Sequence, residues 1–96
     1  MIYADKISFN HDDEENLETI VQINLRSDGG EDINGWYPKE TINDWLHEDD
    51  LIIEVDIFPY PKLIPVDKPI KYVRSTEDDT KKDNLLNLPH CYEDNI

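Results

Sequence analysis

The chain has 96 residues, of which 23 are Asp or Glu and 9 are Lys or Arg, so its formal net charge at pH 7 is −14. A chain of this length supports one modest hydrophobic core and leaves no room for a second. The charge argues against direct binding to nucleic acid and to anionic membranes, because both would repel it. The same charge favours a basic protein surface as the partner. Solubility alone is the competing explanation for such acidity.

The single cysteine, Cys91, bears on the cellular compartment of the protein, because one cysteine cannot form an internal disulfide framework. No apolar run approaches the length of a membrane span. The N-terminus does not show the basic region and apolar segment of a secretion signal. We therefore expect a cytoplasmic protein without membrane contact.

Two segments near the N-terminus predict a pair of strands. Residues 1–10 and 17–25 are rich in apolar side chains, and in the second segment these alternate with polar ones at the period of a half-buried strand. The polar residues 11–16 predict a hairpin loop between them. Residues 27–32, which contain paired glycines, predict a second loop.

A helix is predicted at residues 38–48. Pro38 suits the first helical position, where its missing N–H would have no partner in any case. Ile42, Trp45 and Leu46 follow the i, i+3, i+4 spacing of one helix face. This face should pack on the sheet.

Two more strands are predicted at residues 51–58 and 70–74, separated by a proline-rich segment at 59–69 that disfavours regular structure except at edges. The element order β-β-α-β-β predicts an α+β fold, a small antiparallel sheet with one helix packed on a face. We expect residues 1–89 to form a single domain and residues 90–96 to form a flexible C-terminal tail.

The C-terminal segment carries a distinctive pattern: a Tyr-Val-Arg strand, a polar turn rich in Asp and Thr, and an Asp-Asn-Leu-Leu-Asn-Leu-Pro ending. It resembles the closing signature of the DUF3892 proteins, a bacterial family of uncharacterised small domains. The matching residues are Tyr72, Val73, Arg74, Asp83, Asn84, Leu85, Leu88 and Pro89. The chain departs from the family in its acidic hairpin loop and in the prolines of residues 59–69. The resemblance implies a fold and supplies no activity.

The same ending has a structural interpretation. Leu85 and Leu88 can fold back onto the sheet as a single turn that Pro89 ends. Arg74 would bond the exposed carbonyls of this turn or pair with Asp83. We expect Arg74 to stabilise the fold rather than to act in catalysis.

The sequence predicts no catalytic residue, no metal site and no cofactor. His47 lacks the second His that a zinc-protease helix needs at i+4. His90 and Cys91 are adjacent in sequence, whereas a nucleophile and its base must meet across space. The loop at 28–32 lacks the spacing of a calcium loop. Paired carboxylates for glycoside hydrolysis are a spatial matter that the sequence leaves open.

Aromatic residues mark two places where a partner would bind. Phe58 and Tyr60 form an exposed pair in a proline-stiffened loop, which costs little entropy to present. Tyr37 is equally well interpreted as an interface residue or as part of the core. Trp36 is expected to cover the open end of the core.

Acidic charge could imitate DNA only where it is concentrated. For a mass of 11.3 kDa, area scaling gives about 5,700 Å² of surface, or about 400 Å² per net charge. Duplex DNA carries on the order of one charge per 100 Å². Three clusters raise the local density, at residues 12–18, 44–56 and 77–83, and the second is held most rigidly. The residues predicted to bind a partner are Asp44, Glu48, Asp49, Asp50, Glu54, Asp56, Tyr37, Phe58 and Tyr60.

The leading hypothesis is an inhibitor or modulator of a basic nucleic-acid-binding protein, which acts by occupying the nucleic-acid site. A phage or mobile-element protein directed against a host restriction or CRISPR nuclease, in the cytoplasm of a bacterial cell, would have this size and charge. The alternative is a general bacterial interaction module whose acidity serves solubility only. A small hydrolase is the third hypothesis. The sequence leaves the oligomeric state open.

Overall fold

A computed structural model describes residues 1–30, 32–48, 51–76 and 83–93, and this part of the chain contains seven strands and one α-helix. The strands are β1 (Ile2–Asn10), β2 (Gln22–Ser27), β3 (Gly35–Pro38), β4 (Ile53–Val55), β5 (Leu63–Val66), β6 (Tyr72–Ser75) and β7 (His90–Glu93). The helix α1 is Lys39–Glu48, and two short 3₁₀ helices are η1 (Leu17–Thr19) and η2 (Asn84–Asn87). The predicted α+β class is confirmed.

The longest strand, β1, is the centre of the main sheet. β2 pairs with it antiparallel on one edge, and β3 extends the sheet beyond β2. Two short strands pair with the other edge of β1, and both are parallel to it. β4 lies beside the first half of β1 and β7 beside the second half. The sheet is therefore mixed, where the sequence predicted an antiparallel one. Parallel pairing requires a crossover connection, and the chain between β3 and β4 supplies it through α1.

The predicted C-terminal tail needs correction, because residues 90–93 form strand β7. The Ile7 amide donates to the Pro89 carbonyl at 3.0 Å, which aligns the chain for pairing with β1. The His90 ring then packs edge-on against Phe9, with 5.1 Å between ring centroids. Residues 94–96 lie outside the described part of the chain.

A second contact holds β7 from the side of the acidic loop. The Tyr92 phenol donates to the Glu15 carboxylate at 2.6 Å, and the His90 Nδ1 bonds the same carboxylate. The hydrogen bond that Tyr92 donates to Glu15 also raises the pKa of Tyr92, because an ionised phenol could no longer donate it. The last strand is thus tied to the loop before η1.

The proline-rich segment contains a strand that the sequence did not predict. β5 pairs antiparallel with β6 in a separate two-stranded sheet, in which Pro65 lies opposite Val73. Proline is tolerated there because β5 is an edge strand. The predicted strand at 70–74 begins at Tyr72 and pairs with β5 rather than with the main sheet.

The hydrophobic core lies between the inner face of the main sheet and a layer made by α1, the β5–β6 hairpin and η2. Its buried side chains are Ile2, Ala4, Ile7, Phe9, Ile20, Ile23, Leu25, Ile42, Ile53, Val55, Leu63, Val73, Leu85 and Leu88. Ile42 is fully buried as predicted, whereas Trp45 and Leu46 are half-buried at the margin of the core. Leu85 and Leu88 fold back into the core, which confirms that expectation.

Two polar residues fix the second layer. The Asn43 amide of α1 donates to the Val66 carbonyl at 3.0 Å and to the Tyr72 carbonyl at 2.9 Å, so it joins the helix to both strands of the hairpin. The Asp83 carboxylate accepts from the Ser75 hydroxyl at 2.6 Å and from the Leu85 amide at 2.9 Å. This carboxylate therefore caps η2 and attaches it to β6.

Candidate protein-binding surface

Of the nine residues predicted to bind a partner, the seven that the structure describes do not form one surface. Asp49 and Asp50 lie outside the described residues, as do residues 77–82 of the third acidic cluster. The others fall into three places: the margin of the core, the helix α1, and the outer face of the main sheet with the turn that follows it.

Tyr37 lies at the margin of the core. Its register partner on β2 is Ile23, whose side chain is fully buried on the inner face. The Tyr37 ring meets Trp45 edge-on at 5.0 Å, and its hydroxyl donates to the Asn34 carbonyl at 3.3 Å. Trp36 points to the outer face and is 40% exposed. The expectation for Trp36 is therefore wrong, and Tyr37 serves the core.

Asp44 and Glu48 lie on α1 in a region of mixed charge. Asp44 forms an ion pair with Lys71 at 2.7 Å, and His47 bonds Asp67 at 3.0 Å. The pKa of Lys71 is raised, first by the hydrogen bond and charge of Asp44 and further by Asp67 and Glu48. The acidic charge at this end of the helix is thus partly compensated.

Glu54 and Asp56 lie on the outer face of the sheet, as their alternation with Ile53 and Val55 predicted. Glu54 is beside Tyr3 in the register of β4 and β1. Because α1 packs on the inner face, it leaves this outer face uncovered. The two carboxylates therefore belong to a sheet surface, separate from Asp44 and Glu48.

Arg26 joins the carboxylates of the outer face around Tyr3. Its guanidinium lies 4.7 Å from the centre of the Tyr3 ring and donates to Asp56 at 3.1 Å. It also lies within 3.9 Å of Asp28. The pKa of Tyr3 is raised, first by partial loss of solvent and then by the charges of Asp28 and Glu54. Arg26 thus lies among acidic side chains on this face, and the N-terminal ammonium adds a second positive charge 3.6 Å from Asp28.

A β-bulge adds Asp5 to this face. The register of β1 against β2 shifts between Ala4 and Lys6, so that Asp5 and Lys6 both lie near Asn24. The Asn24 amide donates to the Asp5 carboxylate at 2.7 Å. The sequence contains a signal for this irregularity, since the apolar residues of β1 change from the even positions of Ile2 and Ala4 to the odd positions of Ile7 and Phe9.

Phe58 and Tyr60 occupy a turn that leaves β4 directly after Asp56. Phe58 is 81% exposed and meets Tyr60 edge-on at 6.0 Å. The Tyr60 amide donates to the Ile57 carbonyl at 2.7 Å, and the Val55 amide donates to the Pro61 carbonyl at 2.8 Å. These bonds hold the turn closed.

The backbone of Tyr60 indicates that this turn is constrained. Its φ of 60° lies in the left-handed region, which is rare for a bulky side chain and costs on the order of 1–3 kcal/mol. Such strain persists where surrounding bonds impose it and is found most often at functional positions. We refer to Asp5, Asp28, Glu54, Asp56, Phe58 and Tyr60 together as the acidic–aromatic surface.

The adjacent His90 and Cys91 do not form a catalytic pair. Neighbouring residues of a strand point to opposite faces. The His90 ring is on the side of Phe9, with Nε2 bonded to the Leu86 carbonyl at 2.8 Å and Nδ1 bonded to Glu15. The geometry therefore separates the base from the thiol.

Among the described residues, no group of three His, Cys, Asp or Glu side chains is placed to hold a metal ion. None of the helices in this part of the chain is long and apolar enough to cross a membrane. Comparisons of the chain with protein-family models, with curated proteins and with solved structures give no match. The resemblance to the DUF3892 proteins stays a prediction.

Proposed function

We propose that the chain is an acidic protein-binding inhibitor or modulator of a basic nucleic-acid-binding protein, and that it binds through the acidic–aromatic surface. One observation carries the proposal: Phe58 is 81% exposed at the tip of a hydrogen-bonded turn that follows Asp56 on the outer face. An apolar ring held out of the core in this way is suited to burial against another protein.

The aromatic turn would provide much of the affinity. Full burial of a Phe side chain is worth about 1.5–3 kcal/mol. Because hydrogen bonds already fix the turn at Tyr60 and Val55, little loop entropy is lost on binding. Tyr60 adds ring area and a hydroxyl that can bond a partner.

The charge would provide speed and selectivity for a basic partner. The accessible surface of 5845 Å² and the net charge of −14 give about 420 Å² per charge, against about 100 Å² per charge on duplex DNA. The average density is too low to reproduce a phosphate backbone. Long-range attraction instead steers the acidic–aromatic surface toward a positively charged groove.

The proposal extends to the origin of the chain and to the kind of partner that it binds. A phage or mobile-element protein that occupies the nucleic-acid site of a restriction or CRISPR nuclease in the bacterial cytoplasm combines this small size with this charge. The partner is then a basic enzyme, and the chain itself acts without catalysis.

Affinity capture from a bacterial lysate at low salt, followed by elution with salt, tests this function. We expect a basic nucleic-acid enzyme among the eluted proteins, and we expect the Phe58→Ala/Tyr60→Ala double variant to lose it. Ile70→Ala is the matched control, because Ile70 is an exposed apolar residue outside the surface, at 45% exposure. Capture that survives loss of both rings would contradict the assignment of the surface.

The general interaction module is the second candidate, and the internal ion pairs favour it. Asp44 is neutralised by Lys71 at 2.7 Å and Asp56 by Arg26 at 3.1 Å, so two of the predicted carboxylates already have cationic partners. In that case the acidity serves solubility, and binding to the captured protein will be insensitive to ionic strength.

A further inference from the structure

A small depression lies between η1, β6 and η2 and shares no residue with the acidic–aromatic surface. It has a volume of about 270 Å³ and is lined by Asn16, Leu17, Glu18, Tyr72 and Leu86. Sites for small organic ligands usually measure about 300–1,000 Å³. The depression therefore has the size for one side chain of a partner rather than for a free substrate.

The wall made by η1 is fixed in place by hydrogen bonds. The Asn16 side chain caps η1 by accepting from the Glu18 amide at 2.9 Å and from the Thr19 amide at 3.2 Å. The ammonium of Lys39 donates to the Glu18 carbonyl. Glu18 is thus presented by a capped turn whose backbone is held from both sides.

The other two walls are also held by neighbouring side chains. The Tyr72 carbonyl accepts from the buried Asn43 amide at 2.9 Å, and the Leu86 carbonyl accepts from His90 Nε2 at 2.8 Å. The depression is consequently preformed, and little ordering is required when a ligand enters it.

The lining combines an apolar floor, an aromatic ring and one carboxylate. Leu17, Tyr72 and Leu86 are half-buried, whereas Glu18 is exposed. Within the described part of the chain, the Glu18 carboxylate has no ion-pair partner. Lys39 is only 8% exposed, and its ammonium is directed to the Glu18 carbonyl rather than to the carboxylate. The site therefore offers a negative charge beside apolar surface.

We propose that this depression binds an arginine side chain of a basic protein partner. The aliphatic stem of an arginine would contact Leu17 and Leu86, and its planar guanidinium would pair with the Glu18 carboxylate and stack on the Tyr72 ring. Arginine suits the site better than lysine, because the guanidinium is planar and more weakly hydrated. The site is independent of the proposed function, since it needs neither the aromatic turn nor a nucleic-acid enzyme.

Titration of the full chain with the blocked tripeptide acetyl-Gly-Arg-Gly-amide, followed by NMR, tests the site. We expect shifts at Leu17, Tyr72 and Leu86 with a dissociation constant on the order of 1 mM. The citrulline tripeptide has the same shape without the charge and should bind about tenfold more weakly, because the charge-assisted pair is lost. Equal binding of the arginine, citrulline and leucine tripeptides would overturn the proposal, since the depression would then be an unspecific apolar surface.

Substitutions assign the binding to this site. Glu18→Gln should weaken arginine binding about fivefold, and Tyr72→Leu should weaken it to a similar extent because the ring is lost. Glu40→Gln removes the same charge from an exposed position on α1 and should leave binding unchanged. Since Glu18 is exposed, its variant will fold, and unchanged arginine affinity in Glu18→Gln would overturn the assignment. Phe58→Ala should leave this titration unchanged, which separates it from the test of the proposed function.

Discussion

Asn43 is a fully buried amide that connects three parts of the second layer. Its nitrogen donates to the carbonyls of Val66 and Tyr72 and to the Asp67 carboxylate, at 3.0, 2.9 and 3.2 Å. All three partners are acceptors, so the amide nitrogen must occupy this position. The Asn43 oxygen has no hydrogen-bond partner among the described residues. The residue therefore stabilises the layer while one of its own polar atoms stays unsatisfied.

Replacement of this amide tests its role. Asn43→Ala should lower the free energy of unfolding by about 1–3 kcal/mol, because two part-buried carbonyls lose their donor. Glu40→Ala, on the exposed side of the same helix, should change it by less than about 0.5 kcal/mol. Urea denaturation of both variants measures the difference. Equal stability of Asn43→Ala and the unmodified chain would contradict the connection.

Asp67 should make the stability of the fold depend on pH, with a sign that follows from its pKa. Its pKa is lowered, first by the hydrogen bond from His47 and then by the bond from Asn43. Because the folded pKa lies below the unfolded one, the carboxylate stabilises the native state above about pH 4, and this contribution is lost as the pH falls through the folded pKa. The chain should therefore be more stable than Asp67→Asn at pH 7, and the gap should narrow in acid. Thermal melts from pH 7 to pH 2 measure it, and a constant gap would contradict the prediction.

The C-terminal motif explains how the 3₁₀ helix η2 is attached to strand β6. Asp83 and Ser75 belong to the segment that resembles the DUF3892 signature, and their side chains meet at 2.6 Å. The carboxylate also caps η2 at the Leu85 amide. The motif thus has a structural role in this chain, since it brings Leu85 and Leu88 into the core.

A double-mutant cycle measures this attachment. Asp83→Ala should cost about 1–2 kcal/mol through loss of the cap. Its combination with Ser75→Ala should show a coupling energy of at least about 0.5 kcal/mol, because each variant removes the partner of the other. Strictly additive losses in chemical denaturation would show that the two side chains do not act together.

The docking of α1 depends on one fully buried side chain. Ile42→Ala should lower the free energy of unfolding by about 2–5 kcal/mol, as for a buried Ile that leaves a cavity. Ile70→Ala is the same substitution at a residue that is 45% exposed, and it should cost less than about 1 kcal/mol. Chemical denaturation of the pair provides the comparison, and similar losses would contradict the assigned packing.

The sequence predicts those elements whose pattern is local. The spacing of Ile42, Trp45 and Leu46 predicts α1, although the helix begins at Lys39 and Pro38 is the last residue of β3 rather than the first of the helix. The pairing of β7 with β1 has no such pattern, because it joins His90 to Ile7 across most of the chain. Only the tertiary arrangement decides it.

The candidate surface was predictable to a similar extent. The alternation of Glu54 and Asp56 with buried neighbours shows that both face outward. Their placement beside Arg26 and Asp28 depends on the order of the strands, which the sequence does not reveal. The aromatic pair Phe58 and Tyr60 could be found from its proline-rich context. The exposure of Trp36 could not be predicted, since only the register of β3 decides that Trp36 rather than Tyr37 faces outward.

The charge of the whole molecule is distributed over surfaces of different character. Around α1, Asp44 and Asp67 lie beside Lys71 and His47, whereas the outer face of the sheet carries four carboxylates around Arg26 and the N-terminal ammonium. The apolar ring of Phe58 follows Asp56 of the outer face by two residues in the sequence. A partner that needs both charge and apolar contact is therefore expected at the outer face.

Matched neutralisations distinguish the two regions. Glu54→Gln with Asp56→Asn removes two charges from the outer face, and Glu40→Gln with Glu48→Gln removes two from α1. The first pair of substitutions should weaken binding of the captured partner about tenfold at low salt, and the second pair should have little effect. The reason is that salt screens charges over about 10 Å at 0.1 M, so the charges closest to the interface contribute most to binding. Surface plasmon resonance at two salt concentrations measures both, and equal losses would show that only total charge matters.

Competition with nucleic acid tests whether the chain occupies the nucleic-acid site of its partner. The captured partner is saturated with fluorescently labelled DNA or RNA, and the anisotropy of the label is followed as the chain is added. We expect the unmodified chain to displace the nucleic acid, and we expect Phe58→Ala/Tyr60→Ala to require at least about tenfold higher concentration, since both rings contribute to the contact. A ternary complex in which the partner keeps its full affinity for nucleic acid would contradict inhibition at the nucleic-acid site and leave only a general interaction module.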